Sequence, residues 1–479
     1  MIPEYHRIVL LSDLHLTPAE RLGNFAAGPA LAEFTRIQAE AARRGEALVL
    51  AGDIFDFLLI EDRPLSLHLA TAARLAGELM RRLRSETDWM EPWLAALRQW
   101  IDRGGQVVLL PGNHDLEWFH PDTDKVWRDA LGEADGFSIW RDAEPWRAGS
   151  GAWEVIVGHG HRGDPLNDCD PRRIHAALTR GEDSIPLPPG SQFVLTTLHA
   201  FKRAMDPRTG RRRFPFLDAL KPEYATLALL WALDPPLFRR HLPAGFRLIQ
   251  AEILRSLLRR LQPPTVLGAQ EPSGPAPEPR STGSDSGGRE VEQGFEQAMA
   301  GLIADGLPDG VTKAVLEAEM SALFRGDEPA LHGTLAAAAG SIGRARRWMF
   351  RGWLRQVRKS VAAFFNPTEL SAADRAVVDA WLPESLPRET QRVVVCGHTH
   401  AARSWAREDT PHHYLNTGTW TNLLQLDPAD ESDAAIDALW KSFEGGHLPF
   451  HWRLTWAEIT PQGPVLRDAP GAIAPPAPT

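Results

Sequence analysis

Five short apolar runs, each cut off by a polar or glycine-bearing turn, constrain this chain more than any other feature. They are Arg7–Leu11 before Ser12-Asp13, Ala47–Leu50 before Gly52-Asp53, and Val107–Leu110 before Gly112-Asn113. Val155–Val157 before Gly158-His159 and Val393–Val395 before Gly397-His398 complete the set. Short runs of Val, Ile and Leu without polar alternation fit strands buried on both faces of a layered α/β domain. Helical periodicity fills the early gaps, as in Leu31–Arg44 and Leu67–Arg84, and Tyr414–Trp420 and His451–Ile459 read as further strands. In such sheets, polar residues just beyond the strand ends line the ligand crevice.

The turns carry metal-capable side chains: Asp13-Leu14-His15, Gly52-Asp53, Gly112-Asn113-His114-Asp115, Gly158-His159-Gly160-His161 and Gly397-His398-Thr399-His400. In an extended segment, residues two apart point the same way, so Asp13 with His15, and His398 with His400, each converge on one point. Carboxylate oxygen combined with imidazole nitrogen suits manganese, iron, zinc or cobalt. A thiolate-rich structural zinc site is excluded, because the chain has only two cysteines, Cys169 and Cys396. One Asp-x-His after a strand is more often a turn or a helix cap, and a lone Gly-Asp says almost nothing. Five such turns, each behind a buried strand, are not independent accidents.

The ordered series resembles the calcineurin-like metallophosphoesterase family, over roughly residues 5–170 and 390–460. That resemblance implies a four-layer α/β/β/α sandwich with two divalent ions at the strand ends, manganese foremost among Mn, Fe, Zn, Co and Mg. It assigns Asp13, His15, Asp53 and His400 to one ion, and Asp53, Asn113, His159 and His398 to the other, with Asp53 bridging. His114 is then a catalytic group over the substrate phosphate, oriented by Asp115. Two cations so placed clamp phosphate oxygens and supply hydroxide for in-line attack, and an imidazole near its working pKa steadies charge or protonates the leaving oxygen. Asn113 would bind metal without adding negative charge. In the fourth turn His159 lies nearer the strand end and fits the family's Gly-His position; His161 is the alternative. The segment His159–Asn167 is also similar, more weakly, to UDP-2,3-diacylglucosamine diphosphatases, which cleave a nucleotide-linked pyrophosphate beneath a helical lid. Those enzymes often carry Arg at the position of His114 and have a far shorter insertion.

At 479 residues the chain exceeds one ordinary domain. The expected organisation is a first catalytic segment at 1–175, a mostly helical insertion at 176–388, a second catalytic segment at 389–462 and a disordered tail at 463–479. Within the insertion, a Pro/Gly/Ser-rich stretch at about 262–290 reads as a disordered linker. Ser341–Phe365 projects a helix with Trp353 and Phe350 on one side and Arg351, Arg355 and Arg358 on the other. Such a helix either rests on an anionic membrane surface or packs on the catalytic domain with its basic face outward. Arg247–Leu261 has a similar character, and most of the 17 tryptophans are expected to pack in the core. A net charge of -10 argues against a nucleic-acid partner. With no disulfide framework, no signal-peptide pattern and no apolar run near the roughly 20 residues a membrane span needs, the expected location is cytoplasmic, with peripheral contact at the inner membrane face through 341–365. The expected activity is hydrolysis of a phosphate ester or pyrophosphate on a phosphorylated small-molecule, nucleotide-linked or lipid-linked substrate. A nuclease or protein phosphatase on the same scaffold, or a non-catalytic adaptor, are the competing readings.

Overall fold

The computed structural model describes residues 2–221 and 361–469, apart from 19–22, 24, 61–62, 133–134, 163, 165, 206, 208–211, 215, 362–363, 425, 427–431, 446–447 and 449. One compact unit comprises Met1–Leu220, Ala362–Gln425 and Leu448–Thr479. Its strands are β1 (Arg7–Leu11), β2 (Glu46–Ala51), β3 (Gln106–Leu110), β4 (Phe137–Ile139), β5 (Trp146–Ser150) and β6 (Trp153–Val157). After the interruption come β7 (Arg392–Cys396), β8 (Arg403–Ala406), β9 (His412–Asn416), β10 (Thr455–Thr460) and β11 (Gly463–Asp468). They form a six-stranded sheet of order β11-β10-β1-β2-β3-β4 and a five-stranded sheet of order β8-β9-β7-β6-β5. The central neighbours, β1 with β2, β2 with β3, and β7 with both β6 and β9, run parallel.

Side chains alternate across each strand, and both faces of both sheets find apolar cover. Val9, Leu11, Leu48, Leu50, Val107 and Leu109 face one core, shared with α1 (Gly28–Ala41), α2 (Ala72–Glu86), α3 (Met90–Asp102) and α4 (Thr123–Leu131). Their neighbours Ile8, Leu10, Ala47, Val49 and Val108 face the opposite way and meet Val155, Val157, Val393, Val395 and Leu415 of the second sheet. The outer face of that sheet, through Ile156, Val394 and Tyr414, packs on Val377, Val378 and Leu382 at helix α6 (Ala372–Trp381). These are four layers, helix–sheet–sheet–helix. Each fully buried Leu, Ile or Val contributes about 1.5–3 kcal/mol to holding them together. Trp93, Trp100, Trp118, Trp127 and Trp420 are fully buried.

Several boundaries differ from the sequence expectation. The sheet-bearing unit also holds 176–220 and 362–388, because Ser184–Pro186 pairs with Ser66–His68 and α6 covers the second sheet. A helix α5 (Pro171–Arg180) opens this region, started by the Asp170 cap and Pro171 and stopped by left-handed Gly181. The helix expected from Leu67 starts at Ala72, since 66–68 is spent on that strand pair. Gly463–Asp468, expected in a disordered tail, is instead edge strand β11, where Pro464 is tolerated because only one side of the strand pairs. A second unit, Lys221–Val361 with Leu426–His447, contributes helix α7 (Asp433–Gly445) among the described residues. The linker at 262–290, the helix at 247–261, nearly all of 341–365 and the end of the tail lie outside the described residues. Among the described residues, no helix is long and apolar enough to cross a membrane.

Candidate metal centre

Parallel register brings the turns to one level. Leu11 pairs with Leu50, Ala51 with Leu110, and Val157 with Val395, so the residues that follow leave both sheets side by side. Main-chain bonds then stitch the turns together: the Asp13 amide donates to Gly52, that of His15 to Asp53, and that of Gly397 to His159. Carboxylates tie down the next turns, with the His114 amide donating to Asp53 Oδ1 at 2.8 Å and the His398 amide to Asp13 at 3.0 Å. Two glycines make this approach possible. A Cβ on Gly112 would overlap the Asp53 carboxylate, and one on Gly397 would overlap that of Asp13.

Left-handed backbone is concentrated here. Among the described residues, six non-glycine residues have positive φ, and five are Asp13 (50°), His15 (51°), Asp53 (50°), His398 (70°) and His400 (63°). The sixth, Asp409, lies in the turn between β8 and β9. Such conformations cost about 1–2 kcal/mol for an L-residue and cluster where function over-determines the backbone.

The side chains converge accordingly. Three sets have ligand atoms within 4.8 Å of one another: Asp13, His15 and His400; His15, Asp53 and His114; Asp13, Asp53 and His159. His15 Nε2 lies 3.0 Å from His400 Nε2, and His159 Nε2 lies 3.0 Å from Asp53 and 3.2 Å from Asn113 Oδ1. His398 is in none of the three sets; its ring stands 5.4 Å from that of His159, and its Nε2 faces Asp164 at 3.0 Å. His161, the alternative in the fourth turn, is also outside them, with its ring 5.4 Å from His159.

Charge follows the same pattern. Burial pushes Asp53 up, but His159, His114 and His15 outweigh it and hold the carboxyl well below its usual range. Asp13 is likewise raised by burial and brought net downward by His159 and His400. Burial alone would depress His159, yet Asp53 and Asp13 carry it up to about 10. Ionised, buried carboxylates facing several imidazoles are a donor set suited to borderline divalent cations. The residues present fit a divalent metal centre.

His114 is oriented differently from the expectation. Its Nδ1 meets Asp56 Oδ2 at 3.0 Å, and the same oxygen meets His15 Nδ1 at 3.0 Å. Asp115 instead accepts from the amides of Gly112, Ile54 and Phe55, which makes it a clamp between two turns. Its burial and the charge of Asp53 push the Asp115 carboxyl up to about 7. The sequence reading missed Asp56, although a second acid three residues after Asp53 was a visible signal. It also missed the props under the last turn. Asp374 pairs with Arg403 at 2.9 Å and accepts from Tyr414 and Asn416, while Asn416 donates to the Gly397 carbonyl at 2.7 Å. Thr419 donates to the Asp13 carbonyl at 2.6 Å.

Residues 6–182 match the family model for calcineurin-like phosphoesterases. The chain carries a calcineurin-like phosphoesterase domain. The match spans four of the five turns, and the fifth, beyond it at 397–400, meets them through Asp13 and His15. No curated protein matches the chain. Members of this family are metal-dependent hydrolases of phosphoester bonds, and the phosphoesterase domain here is an enzyme of that kind.

Proposed function

We propose that the domain holds two divalent ions, manganese foremost, and hydrolyses a phosphate ester or pyrophosphate on a nucleotide- or lipid-linked substrate. Asp13, His15, Asp53 and His400 would hold one ion, and Asp53, Asn113, His159 and His398 the other. The observation that carries this reading is the position of Asp53, which shares one convergent set with His15 and another with His159. Bound there, the ions would neutralise phosphate oxygens and lower the pKa of an attacking water.

The remaining steps belong to the chain's own groups. Asp56, buried and held far below its usual range by His114 and His15 against the upward push of burial, stays ionised. It therefore accepts the Nδ1 proton of His114 and fixes the orientation of that ring. The His114 side chain is 21% exposed, against 6% for His15, 10% for His400 and 0% for His159. It is the site imidazole most open to an incoming phosphate, and the one placed to give a proton to the leaving oxygen. An adaptor would gain nothing from maintaining five left-handed residues in one place, which favours catalysis over that reading.

The test is turnover by manganese-loaded protein of bis-p-nitrophenyl phosphate and of nucleotide-sugar pyrophosphates, alongside the metal content. The expected result is two ions per chain and hydrolysis of at least one substrate, lost in His114→Ala. Retention of fewer than two ions, or no turnover of any phosphoester, defeats the proposal.

A further inference from the structure

We infer that Asp164 is a positioning residue that fixes the tautomer of His398, so that His398 offers Nδ1, where its partner imidazoles offer Nε2. The inference rests on the two-ion reading above and adds a residue to it.

Two imidazoles of the centre have Nδ1 taken by an acceptor outside it. His15 Nδ1 faces the Asp56 carboxylate at 3.0 Å, and His159 Nδ1 faces the Ala51 carbonyl at 3.1 Å. A carboxylate or carbonyl only accepts, so the proton sits on Nδ1 and the Nε2 lone pair is left for a cation. His398 reverses this arrangement. Its Nε2 faces Asp164 Oδ2 at 3.0 Å. The proton therefore sits on Nε2, and the lone pair left over is that of Nδ1.

Asp164 is built to hold that place. Its Oδ1 accepts from the Leu166 amide at 3.0 Å, its Oδ2 accepts from Asn167 Nδ2 at 2.8 Å, and its own amide donates to the His161 carbonyl at 3.1 Å. The ring it steers has little freedom, because the His398 amide is bound to the Asp13 carboxylate and the residue sits at φ 70°. The fourth and fifth turns, 234 positions apart in sequence, are thereby coupled through one hydrogen bond. Outer carboxylates of this kind orient a metal-binding imidazole and raise its basicity, and their loss typically weakens metal affinity 10–100-fold.

The experiment compares wild type, Asp164→Asn and Asp164→Glu. Manganese binding is followed by calorimetry and by metal content after removal of free ion, with turnover measured at saturating metal. The expected result is two ions in wild type, with one of the two affinities reduced about 10–100-fold in D164N. D164E should recover part of the loss. A merely structural carboxylate would not move one affinity while sparing the other. Equal affinities in D164N and wild type overturn the inference and leave the two-ion reading standing; fewer than two ions in wild type overturn that reading itself. Should D164N fail to fold, histidine 15N–1H correlation spectra of the zinc-loaded wild type decide the matter, because a His398 proton found on Nδ1 refutes the assignment.

Discussion

Replacing Asp56 by Asn tests the centre at its most economical point. One oxygen, Asp56 Oδ2, serves both His15 Nδ1 and His114 Nδ1 at 3.0 Å, while Oδ1 caps the Leu58 amide at 3.0 Å. The amide keeps an oxygen for the Leu58 cap, so the short helical turn at Phe57–Leu59 survives. The oxygen facing the imidazoles becomes an NH2 group, which only donates. His15 must then accept at Nδ1 and carry its proton on Nε2, the atom that faces His400 at 3.0 Å. That is the wrong tautomer for a ligand. Loss of such an outer partner weakens metal affinity about 10–100-fold, or about 1.4–2.8 kcal/mol. His114 suffers the same reversal, so kcat at saturating metal should fall further, by roughly 10²-fold, the lower end for losing a positioned proton donor. Calorimetric manganese titration reads the first effect, and hydrolysis of bis-p-nitrophenyl phosphate at saturating metal reads the second. Metal affinity and kcat both within threefold of wild type would refute the tautomer argument.

Gly397→Ala should fold but lose metal binding, since the added methyl would occupy the space of the Asp13 carboxylate; metal content close to wild type would contradict this. Asp374→Ala should destabilise the metal-free domain by about 3–5 kcal/mol, because Arg403, with a side chain only 1% exposed, is left as an unpaired buried charge; chemical denaturation measures it, and a loss under about 1 kcal/mol would show the pair is dispensable. Manganese binding should release about one proton from His159, which Asp53 and Asp13 keep charged up to about pH 10. Calorimetry near pH 8 in buffers of different ionisation enthalpy reads that proton, and heats independent of buffer would contradict it. The same raised pKa stabilises the metal-free fold fully below about 6.5 and loses that contribution as pH climbs through about 10. Thermal melts of the metal-free protein across that window should therefore decline in midpoint.

The strand-then-turn code was legible because it is local. A buried run fixes where a strand ends, and the next residues name their own chemistry, so Asp13, Asp53, Asn113, His159 and the 398–400 turn could be picked out one after another. What escaped depended on partners far along the chain. Asp164 matters through a residue 234 positions away, and Asp374 through Tyr414 and Asn416, 40 and 42 positions on. Asp115 was visible, but its work lies in backbone amides of its own turn and the one before it rather than in the adjacent imidazole. Tyr414–Trp420 read as one strand, yet it breaks after Asn416 because Thr417 and Thr419 turn back to hold Ser12 and Asp13. Strand β11 was not legible, because a proline such as Pro464 reads as a breaker until the strand is known to lie at an edge.

The twisted backbone at Asp13, His15, Asp53, His398 and His400 leaves a mark on how such a chain can change over generations. At roughly 1 kcal/mol apiece, these five positions together hold back an amount comparable to the whole margin by which a small domain stays folded. Glycine at any of them would relieve that tension while silencing the protein, although at Asp13 and Asp53 it would also release the amides of His398 and His114. A lineage released from selection for hydrolysis should therefore shed this strain first where the side chain ties down least.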